Sequence, residues 1–222
     1  ANPAFKEVNQ SQKRYIVMKG SAGSGKSVDT AQHFILRLMS DKGRNLVALR
    51  KSDITNRDST FAELTGAIYR MFGDKAELYW QINKSPLKLT CRANGNQIIF
   101  RGMNDDKQRE KLKSITFANG KLTDVWLEEA TEFEESDIDI LDDRLRGDLK
   151  PTNPNLYYQM TLSFNPVSAS HWIKSKFFDV KDDDYFTHHS TYLTNRFIDE
   201  AYHRRMERRK EICGAGNVVY GK

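Results

Sequence analysis

The sequence predicts an α/β fold: a mostly parallel sheet flanked by helices, with an antiparallel hairpin at one edge. Three observations carry this. Short apolar runs alternate with stretches whose apolar residues fall at helical spacing, which implies crossover connections and a sheet covered on both faces. A glycine-rich octet, GSAGSGKS at 20–27, joins the first such run to the first such stretch. Finally, Asn94-Gly95 lies between LKLTC and QIIFR, the sequence form of a tight β-turn.

The elements follow in order. Residues 14–19 read as a buried strand. Ala31, Phe34, Ile35, Leu38 and Met39 mark a helix over 27–41. NLVAL (45–49) is a second buried strand. Phe61, Leu64, Ile68, Met71 and Phe72 mark a second helix, with Asp58 or Ser59 as its cap. The hairpin comes next, as an edge insertion. LTDVWL (122–127) is a strand, 133–146 a helix, and YYQMTLS (157–163) a strand that ends in Phe164-Asn165-Pro166. A helix near 170–178, a strand in FTHHSTY and a charged helix over 197–212 complete the chain.

Composition bounds the function. The 222 residues are 38% hydrophobic and 29% charged, as in an ordinary soluble α/β protein, and no run reaches the length of a membrane span. Cys91 and Cys213 lie far apart without metal-ligand spacing. Lys and Arg outnumber Asp and Glu by 35 to 30, an excess that permits nucleic-acid binding without demonstrating it.

The octet fits G-x-x-x-x-G-K-[ST], the phosphate-loop pattern: Gly20, Ser21, Ala22, Gly23, Ser24, Gly25, Lys26, Ser27. Glycines let backbone N–H groups approach phosphate oxygens, and the following helix N-terminus favours negative charge. Lys26 reaches the β- and γ-phosphates, and the Ser27 hydroxyl ligates Mg²⁺.

VWLEEA (125–130) ends a buried strand in two glutamates. Glu128 is expected at the metal, through its waters, and Glu129 at the attacking water. Hydrolysis of ATP fits this pair better than GTP. The nearest approach to the guanine-reading N-K-x-D is Asn83-Lys84-Ser85-Pro86, where proline replaces the acid. In TLSFNP (161–166), Ser163 and Asn165 could report the γ-phosphate, or Asn165-Pro166 could simply make a turn.

Together GSAGSGKS, VWLEEA and SFNP resemble the N-terminal ATPase domain of the large terminase subunit of tailed bacteriophages. RYIVMKG, ALRKSDITNRDSTF, IIFRGMNDDKQREKLKS and HSTYLTNRFID agree, in order, over almost the whole chain. The resemblance implies a RecA-like P-loop NTPase core of the additional-strand, catalytic-glutamate class over 1–180. It implies a small lid or linker subdomain over 181–222, leading to a nuclease domain that this chain does not contain. The function implied is ATP-driven, Mg²⁺-dependent translocation of double-stranded DNA into a procapsid. A portal protein and a small terminase subunit would be partners, in the host cytoplasm and with no membrane. The motor would be a ring homo-oligomer, and the isolated domain a monomer. Glu129 would be catalytic, and Ser163 and Asn165 would lie in the coupling motif.

Two departures matter. Ala22 stands where many relatives carry a basic residue, so a transition-state arginine must come from elsewhere. Arg50 and Arg57 are the first candidates, followed by Arg101, Arg144 and Arg146. The chain also stops at GAGNVVYGK and begins without methionine, the expectation being a fragment of a longer protein. HRRMERRKE could meet DNA or a neighbouring subunit, or be a solvated helix face. Asp182, Asp183 and Asp184 read as a solvated loop, and His188 and His189 as strand residues without chemistry. Trp80, Trp126 and Trp172 read as packing. The alternatives are another RecA-like DNA-dependent ATPase, such as a helicase or remodelling factor, and a nucleotide-binding module without hydrolysis.

Overall fold

The structure is a computed structural model that describes residues 2–166, 168 and 170–213. One eight-stranded sheet runs through it. The strands are β1 (Tyr15–Gly20), β2 (Arg44–Leu49), β3 (Trp80–Lys84), β4 (Leu87–Cys91), β5 (Gln97–Arg101), β6 (Lys121–Glu128), β7 (Gln159–Phe164) and β8 (Tyr185–Ser190). Their spatial order is β3-β4-β5-β2-β6-β7-β1-β8. All pairings from β5 to β8 are parallel, and β3-β4 and β4-β5 are antiparallel. The hairpin predicted around Asn94-Gly95 is β4-β5. β3, absent from the sequence reading, extends it to the sheet edge.

Alternation along the central strands explains the layers. Leu46 and Ala48 face one apolar cluster while Val47 and Leu49 face the other; Trp126 and its neighbours Val125 and Leu127 divide the same way. On one face lie α2 (Lys26–Ser40) and α3 (Thr60–Phe72), through Phe34, Leu38, Leu64 and Ile68. On the other lie α5 (Asp106–Lys113), α6 (Glu135–Asp142) and a π-helical turn at Lys174–Phe178, through Leu112, Ile138, Leu141 and Phe177. A short α1 (Lys6–Gln10) and its preceding turn cover Ile16 and Met18 with Phe5 and Val8. The four-residue α4 (Ala76–Tyr79) leads into β3, and α7 (Glu200–Cys213) follows β8. Among the described residues, no helix is long and apolar enough to cross a membrane.

Several expectations change. Ser59 occupies the N-cap of α3, but its hydroxyl donates to the Thr55 carbonyl rather than capping the helix. The helix expected over 133–146 spans only Glu135–Asp142, and a capping box of Glu134 and Asp137 sets its start at Glu135. β8 falls within the residues expected to form a lid or linker, yet it pairs with β1 at six positions and is a strand of the main sheet. Trp80 and Trp126 are fully buried, and Trp172 donates its indole N–H to the Phe133 carbonyl.

Candidate nucleotide site

Parallel pairing brings three strand ends level. Register aligns Lys19 with Phe164 and Glu128 with Ser163, so the residues that follow β1, β6 and β7 emerge side by side at the sheet's C-terminal edge. In open parallel sheets that edge is where ligands bind. The loop Gly20–Ser27 leaves β1 and enters α2 at Lys26. Gly23 and Gly25 hold φ of 77° and 86°, backbone that glycine adopts without strain. The loop is tied down by Ser24 N–H to the Ser21 carbonyl (3.1 Å) and by Ser21 N–H to the Ser190 carbonyl of β8 (3.2 Å). Ala22 is exposed at its tip, and Ser27 is half-buried on the first turn of α2.

A hydrogen-bonded chain crosses the site. Lys26 Nζ donates to Asn165 Oδ1 at 2.9 Å, and Asn165 Nδ2 donates to Glu129 Oε1 at 3.2 Å. The Lys26 side chain is buried, which lowers its pKa, against the opposing pull of Glu129 and Glu128. Glu129 has φ of 53° and ψ of 54°, the only non-glycine residue with positive φ among those described. It follows the last residue of β6 and starts a tight turn over Ala130–Glu132.

Glu128 is buried at the end of β6. Burial raises its carboxyl pKa; Arg50 opposes the shift, and Glu129 and Glu63 add to it. Arg50 Nη1 stands 3.8 Å from Glu128 Oε2, while Arg50 Nη2 donates to both Glu132 oxygens at 3.3 Å. Glu128 Oε2 has no hydrogen-bond partner. A buried carboxylate oxygen in that state is ready for a cation. Among the described residues there is no cluster of three or more His, Cys, Asp or Glu that could hold a metal. Mg²⁺ bound with phosphates needs no such cluster, since it keeps waters and takes one or two carboxylates. Ser27 and Glu128 fit it.

Not every expected residue gathers here. Ser163 is buried and accepts the Trp126 indole N–H at 2.9 Å, inside the sheet rather than at its edge. Arg57 is exposed and donates to the Lys84 carbonyl of β3 at 2.9 Å. Arg101 and Arg144 donate to the carbonyls of Phe100 and Ile115. Asn83-Lys84-Ser85-Pro86 closes the β3-β4 hairpin, six strands from β1 and so roughly 30 Å across the sheet. A cavity of about 610 Å³ between Asp53, Arg101 and Lys111 lies by the edge hairpin and not at the loop.

The sequence reading missed Asn195. Its Nδ2 donates to the Gly23 carbonyl at 2.8 Å, and Tyr202 of α7 packs on the same glycine. The segment HSTYLTNRFID was the available signal, but nothing local says that it returns to the loop. In α7, Glu207 accepts the Tyr192 hydroxyl, and Arg204 of the basic stripe pairs with Glu200 at 3.3 Å.

The comparisons agree with this geometry. The family described as phage terminase large subunit matches residues 12–218. The terminase large subunit of Bacillus phage SPP1 is 34% identical over 217 residues, which are 94% of this chain and 49% of that protein. The chain spans about half the length of the curated relatives it matches. Two solved structures share the fold. One is the large terminase of a thermophilic bacteriophage in complex with ATP-gamma-S: TM-score 0.67, 17% identity, 98% of this chain and 48% of that one. The other is the ATPase domain of the Thermus phage P74-26 large terminase: TM-score 0.60, 12% identity, 97% of this chain and 89% of that one. The phosphate loop, the paired glutamates and the sheet that aligns them thus occur in a chain that belongs to the phage terminase large subunit family.

Proposed function

We propose that this chain is the ATP-hydrolysing motor unit of a large terminase, which powers translocation of double-stranded DNA into a procapsid. The observation that carries the reading is the Lys26–Asn165–Glu129 chain at the ends of three adjacent strands. A lysine ammonium and a carboxylate stand on opposite sides of one amide, which supports a site for phosphate and water. The solved relative with bound ATP-gamma-S supports a nucleotide as the ligand.

Lys26 and the loop N–H groups hold the β- and γ-phosphates. Ser27 and Glu128 would hold Mg²⁺, which when bound neutralises charge on the β- and γ-oxygens. Glu129 orients a water and takes its proton as the water oxygen bonds the γ-phosphorus. The bond to the bridging oxygen breaks, leaving ADP and inorganic phosphate. Asn165 senses the change, because the γ-phosphate competes with it for Lys26. Arg50 is the cis candidate for transition-state charge; Arg57, facing the hairpin, is suited only to a neighbouring subunit's site.

The whole protein would act in the host cytoplasm as a ring homo-oligomer on the portal protein, with the small terminase subunit, while this domain alone would be monomeric. The lid or linker would begin after β8 and lead to a nuclease domain. Glu129→Ala is expected to lower turnover at least a hundredfold while ATP binding persists, read by phosphate release and calorimetry. Lys26→Ala is expected to abolish binding. An unchanged rate in Glu129→Ala would remove Glu129 from the reaction.

A further inference from the structure

The turn that carries Glu129 is gripped by two consecutive cations. Arg50 and Lys51 leave β2 together, and their backbone is fixed to the exit of β5. Arg50 N–H donates to the Arg101 carbonyl at 3.4 Å, and the Lys51 carbonyl accepts the Met103 N–H at 3.0 Å. From this base the two side chains reach opposite ends of one segment. Arg50 meets Glu128 and Glu132. Lys51 Nζ stands 5.8 Å from the centre of the Phe133 ring, just past the turn, and 2.7 Å from Asp137 Oδ2 on α6.

Asp137 is a firm anchor for Lys51. Its side chain is wholly buried, and it also accepts Arg109 Nε of α5 at 2.8 Å and the Glu134 N–H at 3.0 Å. Burial alone would raise its carboxyl pKa; the donors outweigh burial and hold it below the usual range. Glu129 is placed differently. Among the described residues its carboxylate has one hydrogen bond, from Asn165 at 3.2 Å. One such bond does not fix a carboxylate, so its aim follows a left-handed backbone that persists only where the surroundings impose it. We propose that Lys51 is a positioning residue for hydrolysis: through Phe133 and Asp137 it holds the Glu129 turn in the setting that aims the carboxylate at the attacking water. Lys51 acts only through the turn, with no part in binding phosphate. The proposal rests on the reading of Glu129 as the group that orients the water.

Single-turnover phosphate release, with the chain in excess over ATP and Mg²⁺ present, separates positioning from plain stability. Lys51→Met is expected to slow hydrolysis by about tenfold or more, because a misplacement of about 1 Å can cost about a hundredfold, while the Kd for ATP-gamma-S is unchanged. Lys51→Arg, which keeps a cation for Asp137, is expected to restore most of the rate. Arg109 is the comparison, since it pairs with Asp137 and Glu134, both beyond the turn. Arg109→Met is expected to lower the melting temperature and leave the rate as in wild type. Asp137 keeps Arg109 and the Glu134 N–H in Lys51→Met, so the variant folds, and a cooperative melt checks this. Lys51→Gln, shorter and uncharged, is expected to be slowed alike, so the result does not hang on one variant. A wild-type rate in Lys51→Met, or equal losses in Lys51→Met and Arg109→Met, would overturn the positioning role. Loss of turnover in Glu129→Ala in the same assay would then leave the reading of Glu129 standing. A full rate in Glu129→Ala, or a wild-type chain without hydrolysis, would overturn both.

Discussion

Glu129 holds a backbone conformation that costs a residue with a side chain of order 1–3 kcal/mol. The neighbouring structure imposes it: β6 fixes the residue before, and the Glu132 N–H bonds back to the Glu129 carbonyl at 2.9 Å. In that setting its carboxylate reaches the Asn165 amide. A second residue is tuned without any part in the chemistry. His33 on α2 has its pKa pushed down to about 4, by burial first and then by the Arg37 guanidinium. Between about pH 4 and 6.5 the folded protein therefore keeps a neutral ring while the unfolded chain binds the proton. The contribution is intact above about pH 6.5 and is lost as pH falls toward 4, by up to about 3 kcal/mol. Urea denaturation at pH 7, 6 and 5 is expected to show this loss, with a shallower slope in His33→Gln.

At the scale of elements, two loops at the end of the sheet opposite the site set how β2 meets β6. Gly43 before β2 and Gly120 before β6 both hold positive φ, and a Cβ on Gly120 would lie 2.1 Å from the Gly43 carbonyl oxygen. Backbone strain and overlap then add, so Gly120→Ala is expected to destabilise by about 2–4 kcal/mol. A midpoint in urea equal to wild type would show that the loops separate freely. Most elements were legible because they bury one face with a regular period: α2, α3, β6 and β7 fall within a residue or two of their expected bounds. β3 was not. WQINK is an edge strand with one fully buried residue, so no period marks it, and its identity comes from pairing with β4. α5 was missed for a related reason, since DKQREKLK buries only Leu112.

For the molecule as a whole, the buried charge at Asp124 joins the layers. Its two oxygens meet Arg37 of α2 and Arg44 of β2, each at 3.0 Å, and all three side chains are almost wholly buried. Both guanidinium groups lie over the Tyr157 ring, at 4.2 and 4.8 Å from its centre. Removing the acid leaves Arg37 with only the Gln159 amide, and Arg44 with Asp41 as its one remaining acid, so Asp124→Ala is expected to cost about 3–5 kcal/mol. A stability in guanidinium chloride within 1 kcal/mol of wild type would argue that water reaches the pair (the scale of a surface bridge). In the sequence Asp124 is one acid within an apolar strand, and no spacing rule joins it to positions 37 and 44.

What the sequence by itself determined is local. Glycines at 23 and 25 permit the loop's turns, Lys26 and Ser27 open the helix behind it, and strand alternation assigns side chains to two faces. These depend on covalent neighbours and a repeat of two or 3.6 residues. The tertiary structure decided which distant residues meet. Insertion of β7 between β6 and β1 puts Asn165 between Lys26 and Glu129. The path of β2 puts Arg50 on Glu128 and Glu132, and the return of the chain after β8 puts Asn195 and Phe197 beside the loop. Strand order is set by how all the apolar faces are buried together, a condition on the whole chain that no short segment carries.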